Sequence, residues 1–287
     1  MTETTAQGPP RGRPEASKGT GGRRPRGAAR TGSSKPLLGA VGVMAFLGTW
    51  EAVPHTGLVS ARYLPPASEV LASLARRATT PGFWTAVGDT LLGWALGLAI
   101  AFVAAVVLGF ALGALPRVRA FTTSTVDFLR PIPSVALIPL AVLMYGTDIR
   151  STLLLVVYAC FWLIYIQVLY GVADVDPVAE QTARSYGLGR LARIRHVVWP
   201  TTLPYLMTGV RLAAAVALIL SITAQLIIGS PGIGREIAVA QSSGAVSSVY
   251  ALIVATGALG VLINIGVRAL ERRVLRWHTS VRGEATA

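Results

Sequence analysis

The chain has 287 residues, of which 53% are hydrophobic and 14% charged. An ordinary soluble domain carries about a quarter charged residues, so this composition excludes one and points to the bilayer. The net charge of +13 is divided between an N-terminal tail and short gaps among apolar runs. A membrane protein distributes arginine in this way, whereas a groove binder builds a continuous basic face, so nucleic acid is not an expected partner.

Residues 1–36 carry Arg11, Arg13, Lys18, Arg23, Arg24, Arg26, Arg30 and Lys35 against Glu3 and Glu15, with abundant Gly, Pro, Thr and Ser. Such a segment buries too little apolar surface to offset its ordering entropy, and is expected to be a disordered basic cytoplasmic tail. The apolar stretch from Leu37 lacks a small-x-small cleavage site and reads as an uncleaved first span. A crossing helix needs about 20 apolar residues. The expected spans are 37–54, 85–114, 120–145, 151–173, 203–228 and 249–271, within a permease domain of residues 37–278, followed by a tail at 279–287. Pro131, Pro133 and Pro139 in the third span are tolerable where a packed bundle satisfies the freed backbone groups.

Arginine sets the orientation. Arg117 and Arg119, then Arg184, Arg190, Arg193 and Arg195, then Arg268, Arg272, Arg273 and Arg276 fall on one side, together with the basic tail. That side is expected to be cytoplasmic, with both termini on it. Arg62, Arg76 and Arg77 are the exceptions, in a connection where 69-EVLASLARR-77 reads as a short amphipathic interfacial helix. Gly93, Gly97, Ala101, Ala105 and Gly109 recur at four-residue spacing in the second span. This small-residue row permits close helix approach, either within the chain or in a dimer.

The single cysteine, Cys160, excludes intrachain disulfides, and His55, His196 and His278 have no ligand-spaced partners, so no metal site is expected. The only lysines, Lys18 and Lys35, each follow serine. A P-loop requires Gly-Lys-[Ser/Thr], so any ATP that drives this protein is bound by another chain. No Ser/His/Asp constellation is visible, and no enzymatic chemistry is expected.

The stretch 180-EQTARSYGLGRLARIRHVVWPTTLPYL-206 interrupts the membrane pattern. Asp176 and Pro177 form a helix start, an N-cap oxygen followed by a proline whose missing N–H costs nothing there. Gly187-Leu188-Gly189 ends that helix, since glycine readily takes the left-handed conformation. A second helix follows, with Leu191, Ile194 and Val197/Val198 predicted to share one apolar face. The segment is either an interfacial anchor or a knob presented to a partner.

The arrangement resembles the cytoplasmic loop of binding-protein-dependent ABC importer permeases, with its pattern Glu-Ala-Ala, Gly and Ile-x-Leu-Pro. With Gly187 as the glycine, the proline falls on Pro200, the isoleucine on Val197 and the leucine on Trp199, and the triplet on Gln181, Thr182 and Ala183. The glutamate is replaced by Gln181, with Glu180 one place earlier. The segments 63-YLPPASEV-70, 127-DFLRPIPSVALIPL-140, 184-RSYGL-188 and 209-GVRLA-213 are similar to the subgroup importing aliphatic sulfonates, taurine or nitrate.

The resemblance implies an all-α polytopic bundle of about six transmembrane helices, with type I ABC importer transmembrane-domain architecture. It also implies a coupling loop at Glu180, Gln181, Thr182, Ala183, Gly187, Val197 and Pro200, a second permease copy, an ABC ATPase dimer holding ATP and Mg, and an external solute-binding protein. This chain itself would hold no cofactor. The rival class is an ATPase-independent secondary transporter or channel, which calls for inverted repeats and several mid-membrane ionisable residues.

The candidate pathway residues are Asp127, Arg130, Pro131, Pro133, Gln167, Arg211 and Gln225. Asp127 and Arg130 form either part of a gate or a local i,i+3 pair near the inner interface. Gln167 and Gln225 serve as interhelical glue or line the pathway. Arg211 snorkels inward or faces the bundle. Membrane lipid is a further expected partner, through the basic tail.

Overall fold

The computed structural model describes residues 35–57, 59–113 and 124–276, and every regular element among them is helical. In chain order these are α1 (Lys35–His55), α2 (Ala67–Ala78), α3 (Pro81–Gly113), α4 (Ile138–Tyr145), α5 (Ile149–Ala173), α6 (Pro177–Ser185), α7 (Arg190–Ile228), α8 (Ile233–Ser242) and α9 (Val246–Val274). Four of them, α3, α5, α7 and α9, are long and apolar enough to cross a membrane. The expected basic tail, the residues around Arg117 and Arg119, and the C-terminal tail lie outside the described residues.

The part of α1 up to Phe46 forms a unit of its own, helical, with Leu38, Val41, Val43 and Met44 exposed. The remaining described residues form the second unit. In it, Trp50 donates its indole N–H to the Pro65 carbonyl at 3.1 Å. Glu51, which reads in the sequence as the end of a span, accepts from the Ser68 backbone N–H at 2.9 Å and hydroxyl at 2.8 Å. It thereby caps the first turn of α2, whose own N-cap position is held by Pro66 without a side-chain bond.

The row of small residues decides how α3 packs. Thr90, Gly93, Gly97, Ala101, Ala105 and Gly109 are all buried. A Cβ on Gly97 would lie 2.5 Å from Val156 Cγ1, on Gly109 2.6 Å from Val168 Cγ1, and on Gly113 3.1 Å from Val172 Cγ1. The partner residues advance with the glycines, so α3 and α5 run parallel, backbone close to backbone. The row is therefore spent inside the chain. α7 returns antiparallel along α5: Gly171 abuts Thr202, Gly209 abuts Gln167 and Ile164, and Cys160 reaches the Ala213 carbonyl. Ala101, Ala105, Val156, Cys160, Ile164, Val168, Leu206, Ala213 and Ala217 form the core where the three helices meet.

The third expected span is broken. Residues 124–129 are helical, the helix stops at Arg130–Pro133, a 3₁₀ turn follows at Ser134–Leu137, and α4 has only 8 residues. Pro131 and Pro133 cannot donate backbone hydrogen bonds, and each disfavours helical geometry in the residue before it. Pro139 sits in the first turn of α4, where the missing N–H is harmless.

Gly171→Val drives a β-branched side chain into the Thr202 backbone, and Gly97→Leu overlaps Val156. Overpacking of this kind costs about 1–3 kcal/mol, so each variant is expected to lower Tm in detergent by several degrees. Gly88→Ala, with no atom within 4 Å of its added Cβ, is expected to leave Tm unchanged. Thermal unfolding followed by size-exclusion fluorescence checks this, and equal values for all three variants would contradict the seam.

Candidate functional site

The corner between α6 and α7 is built by local chemistry. Asp176 Oδ1 accepts from the Val178 N–H at 2.8 Å with Pro177 at the first helical position, closing the start of α6. At the other end the Leu188 N–H bonds to the Ala183 carbonyl at 3.0 Å and the Gly187 N–H to Arg184 at 2.9 Å. This paired closure requires a left-handed residue, and Gly187 supplies it with φ +75°. Glu180 locks the corner, its Oε1 accepting from Arg184 Nη2 at 2.6 Å and Arg193 Nη1 at 3.2 Å. Tyr205 donates to Asp174 at 2.9 Å, tying the loop's beginning to α7.

α7 begins irregularly. Residues Ile194–Val198 form a π turn, with the Trp199 N–H bonding five residues back to Ile194. Pro200 follows at once and has no N–H to return to His196. The extra residue shifts the helical phase, so the apolar face predicted for Leu191, Ile194 and Val197/Val198 does not stay together. Leu191 is 80% exposed, while Val197 and Val198 are half-buried. Tyr186, beside Gly187, is 82% exposed. Ala183 is buried beneath the corner, and Gln181 and Thr182 are exposed on its outer side. Trp199 stacks on Phe110 of α3, with centroids 5.6 Å apart.

The candidate pathway residues separate into different environments. Arg130 and Gln167 come together in a cavity of about 460 Å³, lined also by Ser134, Tyr158, Trp162 and Tyr170. No ion pair joins Asp127 to Arg130 among the described residues, which removes the local-pair reading, and Asp127 is exposed. Arg130 also sits deeper than the inner interface. Tyr158 Oη donates to the Leu129 carbonyl at 2.5 Å, and Tyr158 lies roughly 22 Å along α5 from its Ala173 end, at 1.5 Å rise per residue. Pro131 and Pro133 make the break that turns this backbone toward the cavity. The Trp162 indole Nε1 is buried with no hydrogen-bond acceptor among the described residues.

Gln225 is fully buried and lines no cavity described here; it clamps three elements. Its Oε1 accepts from the Thr90 hydroxyl of α3 at 3.0 Å and from the Gly234 N–H of α8 at 3.1 Å. Thr90 in turn accepts from the Ile233 N–H at 2.9 Å. A Cβ on Gly232 would fall 2.3 Å from the Gln225 amide, so only glycine admits the side chain there. Thr152 and Ser230 share a further hydrogen bond of 2.8 Å that holds the same loop to α5. Arg211 lies apart from Arg130 and Gln167, on a separate cavity of about 230 Å³ between α7 and α9. It pairs with Glu271 of α9 at 3.6 Å, snorkelling toward the α9 terminus.

Residues 97–276 match the family described as binding-protein-dependent transport system inner membrane component. The chain belongs to that family. It is 31% identical over 254 residues to the taurine transport system permease protein TauC of Escherichia coli K12, covering 86% of this chain and 92% of that one. It is 27% identical over 261 residues to the putative aliphatic sulfonates transport permease protein SsuC of Bacillus subtilis 168, covering 91% and 94%. Its fold matches the inward-facing MetNI methionine ABC transporter with a TM-score of 0.58 at 18% identity, over 68% of this chain and 99% of that one.

As a transport permease component this is an all-α, multi-pass membrane protein. Its sequence did not single out Trp162, Tyr158, Thr90 or Asp174. Aromatics inside a span resemble ordinary packing, and Thr90 gains its role only from a partner 135 residues away. Gln225→Leu leaves the buried Gly234 N–H without an acceptor, which costs about 1–3 kcal/mol. The variant is expected to unfold several degrees below the parent while Gln241→Leu, at an exposed site of α8, does not. A thermal melt of each decides it.

Proposed function

We propose that this chain is the membrane-spanning half of an ATP-driven importer, and that the α6–α7 corner is the knob that receives force from a cytoplasmic ATPase. The observation that carries the reading is the pair Tyr186 and Leu191, large apolar side chains left 82% and 80% exposed on a corner locked from within. A membrane anchor has no need of that rigidity, but a docking knob does. The exposed Gln181 and Thr182 flank it, Glu180, Ala183 and Gly187 hold its shape, and Val197 and Pro200 set its junction with α7.

The partners in this reading, which family membership supports, are an ATPase dimer that binds ATP and Mg, a second permease copy completing the pathway, and an external solute-binding protein. This chain contributes neither cofactor nor chemistry. The knob side is cytoplasmic in this reading, supported by Arg184, Arg190, Arg193, Arg195, Arg272 and Arg273 on that side. Both termini share it, as does the basic tail, and the permease domain runs over residues 37–278 in six crossings.

The solute is a small anion of the sulfonate, taurine or nitrate kind. The relatives' names support this, and so does the chemistry of the Arg130 cavity. A mid-membrane arginine without an acidic partner is a functional residue by default, and here it stands beside Gln167 and the unanswered Trp162 N–H. Arginine and glutamine side chains both carry donors suited to an oxyanion.

Two measurements test the reading. Tyr186→Ala/Leu191→Ala removes the knob's exposed apolar surface without touching the core. Losing one hot-spot contact of about 2 kcal/mol weakens association roughly 30-fold, so the ATPase is expected to be lost on tagged purification of this variant and kept by the parent. A parent that repeatedly purifies without any P-loop ATPase would favour the secondary-transporter class instead. Arg130→Gln is expected to keep the ATPase but cut solute uptake at least tenfold, and unchanged uptake would remove Arg130 from the pathway.

A further inference from the structure

Beneath the knob lies a second cavity, of about 680 Å³, whose walls differ in character. One wall is apolar, made by Phe110 at the end of α3, Val172 and Val175 at the end of α5, and Val198. The other carries Arg184, Arg190 and Arg193 against a single carboxylate, Glu180. That carboxylate is already committed to Arg184 and Arg193 through one oxygen. Arg190 has no acidic partner among the described residues. Arg193 is only 17% exposed, and its Nε is buried with no acceptor among the described residues. A buried charged donor left unanswered is costly, and an anion is its natural complement.

We infer that this cavity binds the phosphate of an anionic membrane phospholipid. The spanning helices α3 and α5 both end at it, which places it at a membrane–water boundary. A lipid there meets the guanidinium groups with its headgroup and the Phe110, Val172 and Val198 wall with its glycerol and upper acyl region. Basic pockets between membrane helices take anionic headgroups on the same physical grounds. A free phosphate would answer the arginines but leave the apolar wall empty. The inference requires only that α3 and α5 cross a bilayer, and it stands apart from the identity of the solute and from ATPase docking. The bound lipid would brace α6 and the start of α7 against the ends of α3 and α5, so membrane composition would set the stiffness of the corner.

The test uses the full chain, purified with whatever partners accompany it, in mild detergent. Native mass spectrometry counts phosphatidylglycerol and phosphatidylcholine retained during titration with each lipid. The parent is expected to hold phosphatidylglycerol in preference to phosphatidylcholine. Arg190→Gln and Arg193→Gln are each expected to weaken that retention about tenfold, as loss of a charge-assisted hydrogen bond predicts. Arg195→Gln, outside the cavity, is expected to retain the lipid, and co-purification of the ATPase is scored separately. Equal retention by all variants, or equal retention of phosphatidylcholine, would overturn the site. Inorganic phosphate that raises Tm alone, with no lipid preference, would make it a free-anion site and overturn the lipid assignment. Loss of the ATPase with lipid retention unchanged would reassign the arginines to partner docking.

Discussion

The contact on which the rest depends is the glycine and alanine seam of α3 against α5. Lipid tails are as apolar as leucine side chains, so helices in a bilayer gain little by hiding apolar surface from one another. They associate by close backbone packing, and a row of residues without bulk is what permits it. Beside the seam, Tyr158 of α5 bonds to the Leu129 carbonyl, which sets Arg130, Pro131 and Pro133 against the middle of a helix long enough to span a bilayer. An irregular backbone at that height is tolerated only if it is covered by protein or lines a cavity. Here it does line one, with Arg130 and Gln167 in its wall.

From the seam, a second relation follows. α7 runs without a gap from the knob to the far face, a helix of 39 residues that includes the π turn. It is held at three heights. Near the knob, Arg193 binds Glu180 and Tyr205 binds Asp174. In mid-course, Trp94 of α3 donates to the Ala214 carbonyl at 2.8 Å. At the far end, Gln225 joins Thr90 and Gly234. A displacement applied at the corner is therefore not absorbed locally. On the function proposed above, it would pass along α7 to α3 and α8 as movement of one braced body, the kind of rigid motion by which alternating access proceeds in other transporters.

Legibility in the sequence followed the range of the interaction. The Asp176-Pro177 start of α6 and its stop at Gly187 could be read directly, because capping and the left-handed glycine are chemistry among neighbours in the chain. The all-α membrane class was equally plain from hydropathy. Gln225 and Arg211 were legible only as alternatives, interhelical glue or pathway for the one and snorkelling or bundle-facing for the other. What separates the alternatives is a partner far away in the chain, Thr90 for Gln225 and Glu271 for Arg211. The apolar stripe from Leu191 to Val198 failed for a different reason. Periodicity assumes a constant turn, and the π turn ahead of Pro200 breaks the phase.

The segment bordering the cavity is thinly packed. Between Arg130 and Tyr145 only Ala141 is buried, the 3₁₀ turn buries nothing, and α4 has 8 residues. Segments with few buried apolar contacts open at low free-energy cost, and moving elements are drawn from them. α3, α5, α7 and α8, by contrast, are locked by the seam, the core around Cys160 and the Gln225 clamp. The division is physical: a body that transmits displacement, and beside it a broken strip of backbone that yields to it. Arg130 stands on the strip and Gln167 on the body, so the two sides of the cavity belong to parts of unequal stiffness. On the function proposed above, relative motion between them would change the distance between an arginine and an amide across the cavity, and with it the affinity for an anion held there.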